Sequence, residues 1–473
     1  MKILFVSPEA QPFISTGGLA EVAGSLPKAL RKKRVGVRVV LPLYQDIPDA
    51  LRDNMRFVTN ITVPVAWRRQ YCGIFEAKVD GVIYYLLDNE YYFKRPGAYG
   101  YYDDAERFAF FSRAALEILP HIDFKPNVIH ANDWQTALVP VYYSTLFATK
   151  PGYENIKTVF TLHNMQYQGE YGHELLGEVI GLPPKDHKLV EFGENVNLLK
   201  GGIECADAVT TVSPSYAQEI LDPWFSHGLD PLLRAREWKL SGILNGIDTE
   251  VYDPTRDPLI AAQFSAAQPQ GKAACKAALQ EEYGLPVDAA VPLLSMVTRL
   301  TGHKGLDLLR PILYDFLRES GAQFVVLGSG EWEYEQFFKQ VQQDFPQQFG
   351  LYLGFNAGLS HRIYAGSDLF LMPSRAEPCG LSQMIALRYG TVPIVRAVGG
   401  LRDSIQDAGD GAGNGFTFQS YNAHDMRGAL DRALAVYAQP EAWQALQQRG
   451  MACDFSWNVS ALEYLRLYKA ISK

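Results

Sequence analysis

The sequence predicts an α/β protein built as two Rossmann-like, doubly wound domains, and three observations carry that expectation. Short runs rich in Val, Ile and Leu alternate with longer amphipathic stretches, the pattern of parallel strands buried on both faces by crossover helices. The series starts again after Asn245-Gly246-Ile247-Asp248. At 473 residues the chain also exceeds what one hydrophobic core ordinarily organises.

In the first half strands are expected at Ile3 to Val6, Val37 to Leu41, Val82 to Leu87, Val128 to His130, Val159 to Leu162 and Ala208 to Val212. The second series reads Leu293 to Val297, Phe324 to Leu327, Leu351 to Leu353, Leu369 to Met372 and Pro393 to Val395. The stretch Asp253 to Ala289, rich in Pro, Gln and Ala, carries no strong strand, which puts the hinge near residues 240–248. The expected domains are 1–243 and 244–456, with the segment 457–473 discussed below. Ligands of open α/β sheets bind beyond the carboxyl ends of the strands, so two such domains face to face would enclose a deep cleft.

Composition narrows the function. A formal net charge of -8 argues against nucleic-acid partners, whose binding surfaces are strongly basic. The five cysteines, Cys72, Cys205, Cys275, Cys379 and Cys453, lie tens of residues apart and show neither a zinc spacing nor a disulfide framework. The apolar run Ile3 to Val6 is too short for a secretory signal, and no stretch is long enough to span a bilayer. A cytoplasmic protein with no membrane partner is expected.

Four segments stand where strands end. Ser15-Thr16-Gly17-Gly18-Leu19-Ala20-Glu21 follows the first strand and opens a helical stretch through Leu30; its glycines suit either an anion held by backbone amides at a helix N-terminus or simply a tight turn. The same Gly-Gly-Leu recurs at Gly399-Gly400-Leu401. His163 and Asn164 end the strand at Leu162, beside Asp133 and Trp134 of the neighbouring strand, so polar groups from two strands converge. Arg299 and Lys304 occupy a Gly-containing loop after an apolar strand, where fixed positive charge would meet a leaving diphosphate, Arg in a fork and Lys as a point charge. Glu377 precedes Pro378-Cys379-Gly380-Leu381-Ser382. That glutamate can accept sugar hydroxyls, but from position alone a carboxylate favouring a helix dipole is the leading alternative.

Taken together, the N-terminal Gly-Gly-Leu, His130 to Trp134, Thr161 to Asn164, Asn245 to Asp248, Arg299 to Gly305 and Glu377 to Leu381 resemble the bacterial glycogen synthase and plant starch synthase family, retaining glucosyltransferases of the GT-B fold. The resemblance spans nearly the whole chain. It implies transfer of glucose from ADP-glucose to the non-reducing end of an α-1,4-glucan, glycogen or a maltooligosaccharide. The alternatives are another retaining GT-B transferase using UDP-glucose or a small acceptor, and a catalytically weak glucan-binding homologue.

The resemblance further implies that Arg299 and Lys304 neutralise the departing diphosphate, helped by the amides around Gly17, Gly18 and Leu381 in a donor site that includes Ser15, Cys379, Gly380 and Ser382. Glu377 and His163 would bind the transferred glucose, with Asn164 and Asn245 lining its pocket. Asp133 and Glu21 would shape the acceptor side, and Phe355 would stack on adenine. No metal or other cofactor is implied, and no carboxylate pair demands the two-carboxylate glycosidase scheme. The segment 457–473 resembles the family helix that returns to the first domain. Two positions depart from the family: Ser15 stands where Lys is usual, and Glu21 where Asp is usual.

Overall fold

A computed structural model describes residues Met1–Lys473. The chain divides into two compact units, Met1–Gly246 with Trp457–Lys473, and Ile247–Ser456. The boundary thus falls after Gly246, against the expected 243/244. No helix is long and apolar enough to cross a membrane.

The strands, in chain order, are β1 (Lys2–Val6), β2 (Gly36–Pro42), β3 (Arg56–Val65), β4 (Arg68–Val79), β5 (Val82–Asp88), β6 (Val128–Asn132), β7 (Lys157–Leu162), β8 (Glu170–Gly172), β9 (Glu191–Phe192), β10 (Asn195–Asn197), β11 (Ala208–Thr211) and β12 (Leu240–Gly242) in the first unit. The second unit holds β13 (Leu293–Val297), β14 (Gln323–Gly328), β15 (Phe349–Leu353), β16 (Leu369–Met372), β17 (Val392–Arg396) and β18 (Phe416–Phe418). The first unit's main sheet has the order β12-β11-β7-β6-β1-β2-β5-β4-β3, and the second unit's sheet β15-β14-β13-β16-β17-β18.

Central strands are buried end to end, as in β6 and β14, because helices cover both faces. The second sheet is parallel throughout. Its core joins Leu294 and Met296 of β13, Phe324 and Val326 of β14, and Leu369 and Leu371 of β16 to Phe316, Phe338 and Met426 from the helices.

The first sheet corrects the expectation of a purely doubly wound parallel sheet. Its edge is an antiparallel hairpin, β3–β4, that also pairs antiparallel with β5. This hairpin has one partly solvated face, so it lacks the continuous apolar runs that mark strands covered on both sides. The short strands β8–β10 form a separate antiparallel sheet that was likewise not anticipated.

In both main sheets the chain fills one side of its first strand and then jumps to the other side. The reversal lies between β1 and β6 in the first unit and between β13 and β16 in the second. At such a switch point adjacent loops diverge and leave a crevice beyond the strand ends.

The helix Trp457–Ile471 belongs to the first unit. Tyr468 and Tyr464 on it are fully buried. The Tyr468 hydroxyl lies 2.7 Å from His130 Nδ1, and His130 Nε2 lies 2.6 Å from Thr161 Oγ1. Burial holds the His130 imidazole down at about 3, hence neutral. Tyr468→Phe strands one buried imidazole nitrogen and is expected to cost about 1–2 kcal/mol. A calorimetric scan should show the first unit melting a few degrees lower; an unchanged melting temperature contradicts a role for this bond in holding the helix.

Candidate active site

The first group of candidate side chains gathers at the β1/β6 switch point. Asp133 follows β6 with φ 58°, and one of its carboxylate oxygens accepts the backbone N–H of His163 at 2.7 Å, tying the end of β6 to the end of β7. This carboxyl is largely withdrawn from water, and the lost solvation pushes it up to about 7, opposing the His163 and Asn164 amides that favour the charged form. The His163 imidazole is driven the opposite way by the same cause, down to about 3. It is therefore neutral at any working pH.

Its tautomer follows from Asn132. The Asn132 amide nitrogen donates to the carbonyls of Val6 and His130 at 3.1 and 3.3 Å, so its oxygen faces His163 Nε2 at 3.0 Å. This network assigns the proton to Nε2 and leaves Nδ1 as a bare acceptor, suited to a sugar hydroxyl. Asn164 spends its side-chain oxygen on the Gln166 amide at 2.9 Å. Asn245 is buried, and its side-chain oxygen has no partner.

Ser15, Thr16, Gly17 and Gly18 are exposed on the β1 side of the same switch point. A Cβ added at Gly17 or Gly18 would meet nothing within 4 Å, so both glycines border open space. The helix Gly18–Lys32 starts here with Gly17 as its N-cap and Glu21 in its first turn.

The second group lies at the β13/β16 switch point. Arg299 follows β13, exposed and with no partner on its guanidinium. Lys304 Nζ lies 2.7 Å from Glu377 Oε2, which also accepts the Ser374 hydroxyl at 2.9 Å. Gly305 makes this meeting possible: its φ is 78°, and an added Cβ would fall 2.0 Å from the Pro373 carbonyl oxygen. Only a residue without a side chain lets the β13 loop press on the β16 loop so closely.

Glu377 lies upstream of the helix Ser382–Arg388, whose N-cap is Leu381. The helix-dipole alternative is thereby displaced by an ion pair. Gln383 donates its amide to the carbonyls of Cys379 and Gly380 at 3.2 and 2.9 Å, bracing the turn that leads to Leu381. Ser382 accepts the Tyr364 hydroxyl at 3.0 Å. Phe355, just past β15, is 91% exposed, a free aromatic face.

The two Gly-Gly-Leu segments do different work. A Cβ on Gly399 would sit 2.0 Å from the Glu377 carbonyl oxygen and one on Gly400 2.2 Å from that of Cys379. The second pair of glycines thus supports the Glu377–Cys379 loop from beneath, whereas the first pair faces open space.

Sequence reasoning did not single out Glu9, Asn132, Ser374 or Gln383. Glu9 and Asn132 carried a usable signal, since each is a polar residue at or just past the carboxyl end of a central parallel strand. Ser374 and Gln383 carried none, because their roles exist only in the folded loop.

Two α/β units, each with polar and charged side chains at its switch point, match glycosyltransferases of the GT-B fold. Residues 2–235 match the starch synthase catalytic domain model and residues 284–448 match glycosyl transferases group 1. The chain is 49% identical to a glycogen synthase of Bacillus cereus over 100% of both chains. It is also 49% identical to one of Geobacillus thermodenitrificans, covering 100% of this chain and 98% of that one. The catalytic domain of starch synthase IV from Arabidopsis thaliana, solved bound to ADP and acarbose, superposes with a TM-score of 0.91 at 38% identity, covering 99% of each chain. The chain belongs to the starch synthase and bacterial glycogen synthase family, and it is an α-glucan glucosyltransferase.

Proposed function

We infer that the chain transfers glucose from ADP-glucose to the non-reducing end of an α-1,4-glucan with retention of configuration. The observation that carries this is full-length identity of 49% to glycogen synthases, and the ADP and acarbose bound to the starch synthase IV domain support both ligand classes.

In this reading the bond from glucose C1 to the diphosphate breaks and a bond from C1 to the acceptor 4-oxygen forms. The acceptor's proton passes to the departing phosphate oxygen, on the same face of the sugar. On the second unit Arg299 and Lys304 stabilise charge as it develops on the diphosphate, the Gly380–Ser382 turn offers amides to it, and Phe355 stacks on adenine. Glu377, braced by Ser374, accepts glucose hydroxyls. On the first unit the amides of Gly17 and Gly18 face donor phosphates, with Ser15 at their edge. His163 accepts a glucose hydroxyl at Nδ1, Asn164 and Asn245 line that pocket, and Asp133 and Glu21 address the acceptor. Two side-chain cations supply the positive charge, so no metal is invoked. The enzyme is assigned to the cytoplasm, a reducing compartment that suits its five free cysteines.

Glucose incorporation into glycogen with ADP-glucose and UDP-glucose side by side tests the donor. A kcat/KM at least about tenfold higher for ADP-glucose is expected, a difference of roughly 1.4 kcal/mol in transition-state binding. Equal values for the two donors, or transfer only to small sugars, overturn this assignment.

A further inference from the structure

Glu9 sits between β1 and the helix Gly18–Lys32 and is 3% exposed. Its Oε2 accepts both the backbone N–H of Thr16 at 2.7 Å and the Thr16 hydroxyl at 2.6 Å. The Ala20 amide also favours this carboxylate. Tyr44, Tyr99 and Asp133 are the titratable groups that feel its charge.

Burying a carboxylate is costly unless its hydrogen bonds repay the lost water. Here those bonds go to a single short turn. The helix that begins at Gly17 has no side-chain cap of its own, and a capping Ser, Thr or Asp at that position would cover the amides left open there. Glu9 holds the turn through Thr16, the neighbour of Gly17, while an added Cβ at Gly17 or Gly18 would meet nothing within 4 Å. A turn already held in its binding shape loses little freedom when a ligand arrives.

We propose that Glu9 is a positioning residue that locks the Thr16–Gly18 turn so that the Gly17 and Gly18 amides stay aimed at the phosphates of the sugar nucleotide. This rests on the placement of donor phosphates at Gly17 and Gly18 made above.

The test uses the full chain, with calorimetric binding of ADP, steady-state kinetics with ADP-glucose and thermal melting. Glu9→Gln, whose amide oxygen can accept both Thr16 bonds, should keep the ADP Kd within about threefold of wild type. Glu9→Ala should raise the ADP Kd and the KM for ADP-glucose about tenfold while kcat changes less than about threefold. A merely structural role would instead reduce the amount of folded enzyme, lowering kcat and leaving KM alone. Gly18→Val, which places a branched side chain over the same amides, should weaken ADP binding independently of Glu9. Weak ADP binding in Gly18→Val with wild-type binding in Glu9→Ala overturns the role of Glu9. Wild-type binding in both overturns the phosphate placement, and the proposal with it. Should Glu9→Ala fail to fold, Thr16→Val removes only the hydroxyl bond; a KM rise of about threefold is then expected, and an unchanged KM counts against the proposal.

Discussion

Lys304→Ala is expected to lower kcat/KM for ADP-glucose by about a thousandfold, the scale seen when a preorganised charge is removed from a developing anion, roughly 4 kcal/mol. Two effects add. The diphosphate loses a cation, and Glu377, with a side chain 10% exposed, loses its 2.7 Å partner and keeps only Ser374. A buried carboxylate without a cation is costly and will recruit water or swing away from its loop. Because the Lys304 and Glu377 side chains touch, their effects should not be additive. The double variant Lys304→Ala, Glu377→Ala should therefore be less impaired than the product of the single effects. Lys304→Arg should recover part of the loss, since a guanidinium restores the charge with different reach. Arg299→Ala should reduce turnover strongly as well, but without releasing a buried partner. Steady-state kinetics with melting curves check this. Turnover of Lys304→Ala within tenfold of wild type would place this side chain outside the diphosphate site.

Asp133→Asn is expected to lose about a hundredfold or more in kcat/KM and yet to melt higher than wild type at pH 8. The stability part follows from linkage. A carboxyl whose folded-state pKa lies above its unfolded value of 3.8 holds its proton more tightly in the fold, so its ionisation opposes folding. The penalty is absent below the ordinary carboxylate range, grows as pH rises, and is complete above about 7. Asparagine keeps an oxygen for the His163 amide and carries no charge. The gain should be of order 1 kcal/mol, since the group retains some solvent contact. The melting difference between variant and wild type should widen from pH 5 to pH 8. The activity part predicts that wild-type kcat/KM rises through an apparent pKa near 7 as Asp133 ionises, and that Asp133→Asn loses this acid limb. Melting differences that shrink with rising pH would show that this carboxyl is not held protonated by its surroundings.

Much of the fold was legible because parallel strands buried on both faces must be apolar throughout. The runs Leu293 to Val297 and Leu369 to Met372 coincide with β13 and β16, and the other expected strands coincide with theirs to within a few residues. The β3–β4 hairpin was not legible by that criterion, since exposed and partly buried positions interrupt both strands. Among the candidate site residues, chain position alone pointed to those at strand ends, such as Asp133, His163, Arg299 and Lys304, and the structure places them at the two switch points. Position could not reveal that Lys304 pairs with Glu377, nor that Glu9 holds Thr16, because hydrogen-bond partners depend on which loops the sheet order brings together.

By itself the sequence determined the α/β class, the two-unit construction and the family, since each rests on local periodicity or on ordered motifs that survive without coordinates. Only the tertiary structure decided what each motif does. The same Gly-Gly-Leu leaves open space at Gly17 and Gly18 but is packed under the Glu377 loop at Gly399 and Gly400. Glu377, a plausible helix-dipole residue by position, became half of an ion pair once Gly305 let two loops meet. Burial then set the protonation of Asp133 and His163 in opposite directions, because a low-dielectric surrounding penalises charge of either sign, and that surrounding is a property of the packed strands, not of the residues themselves.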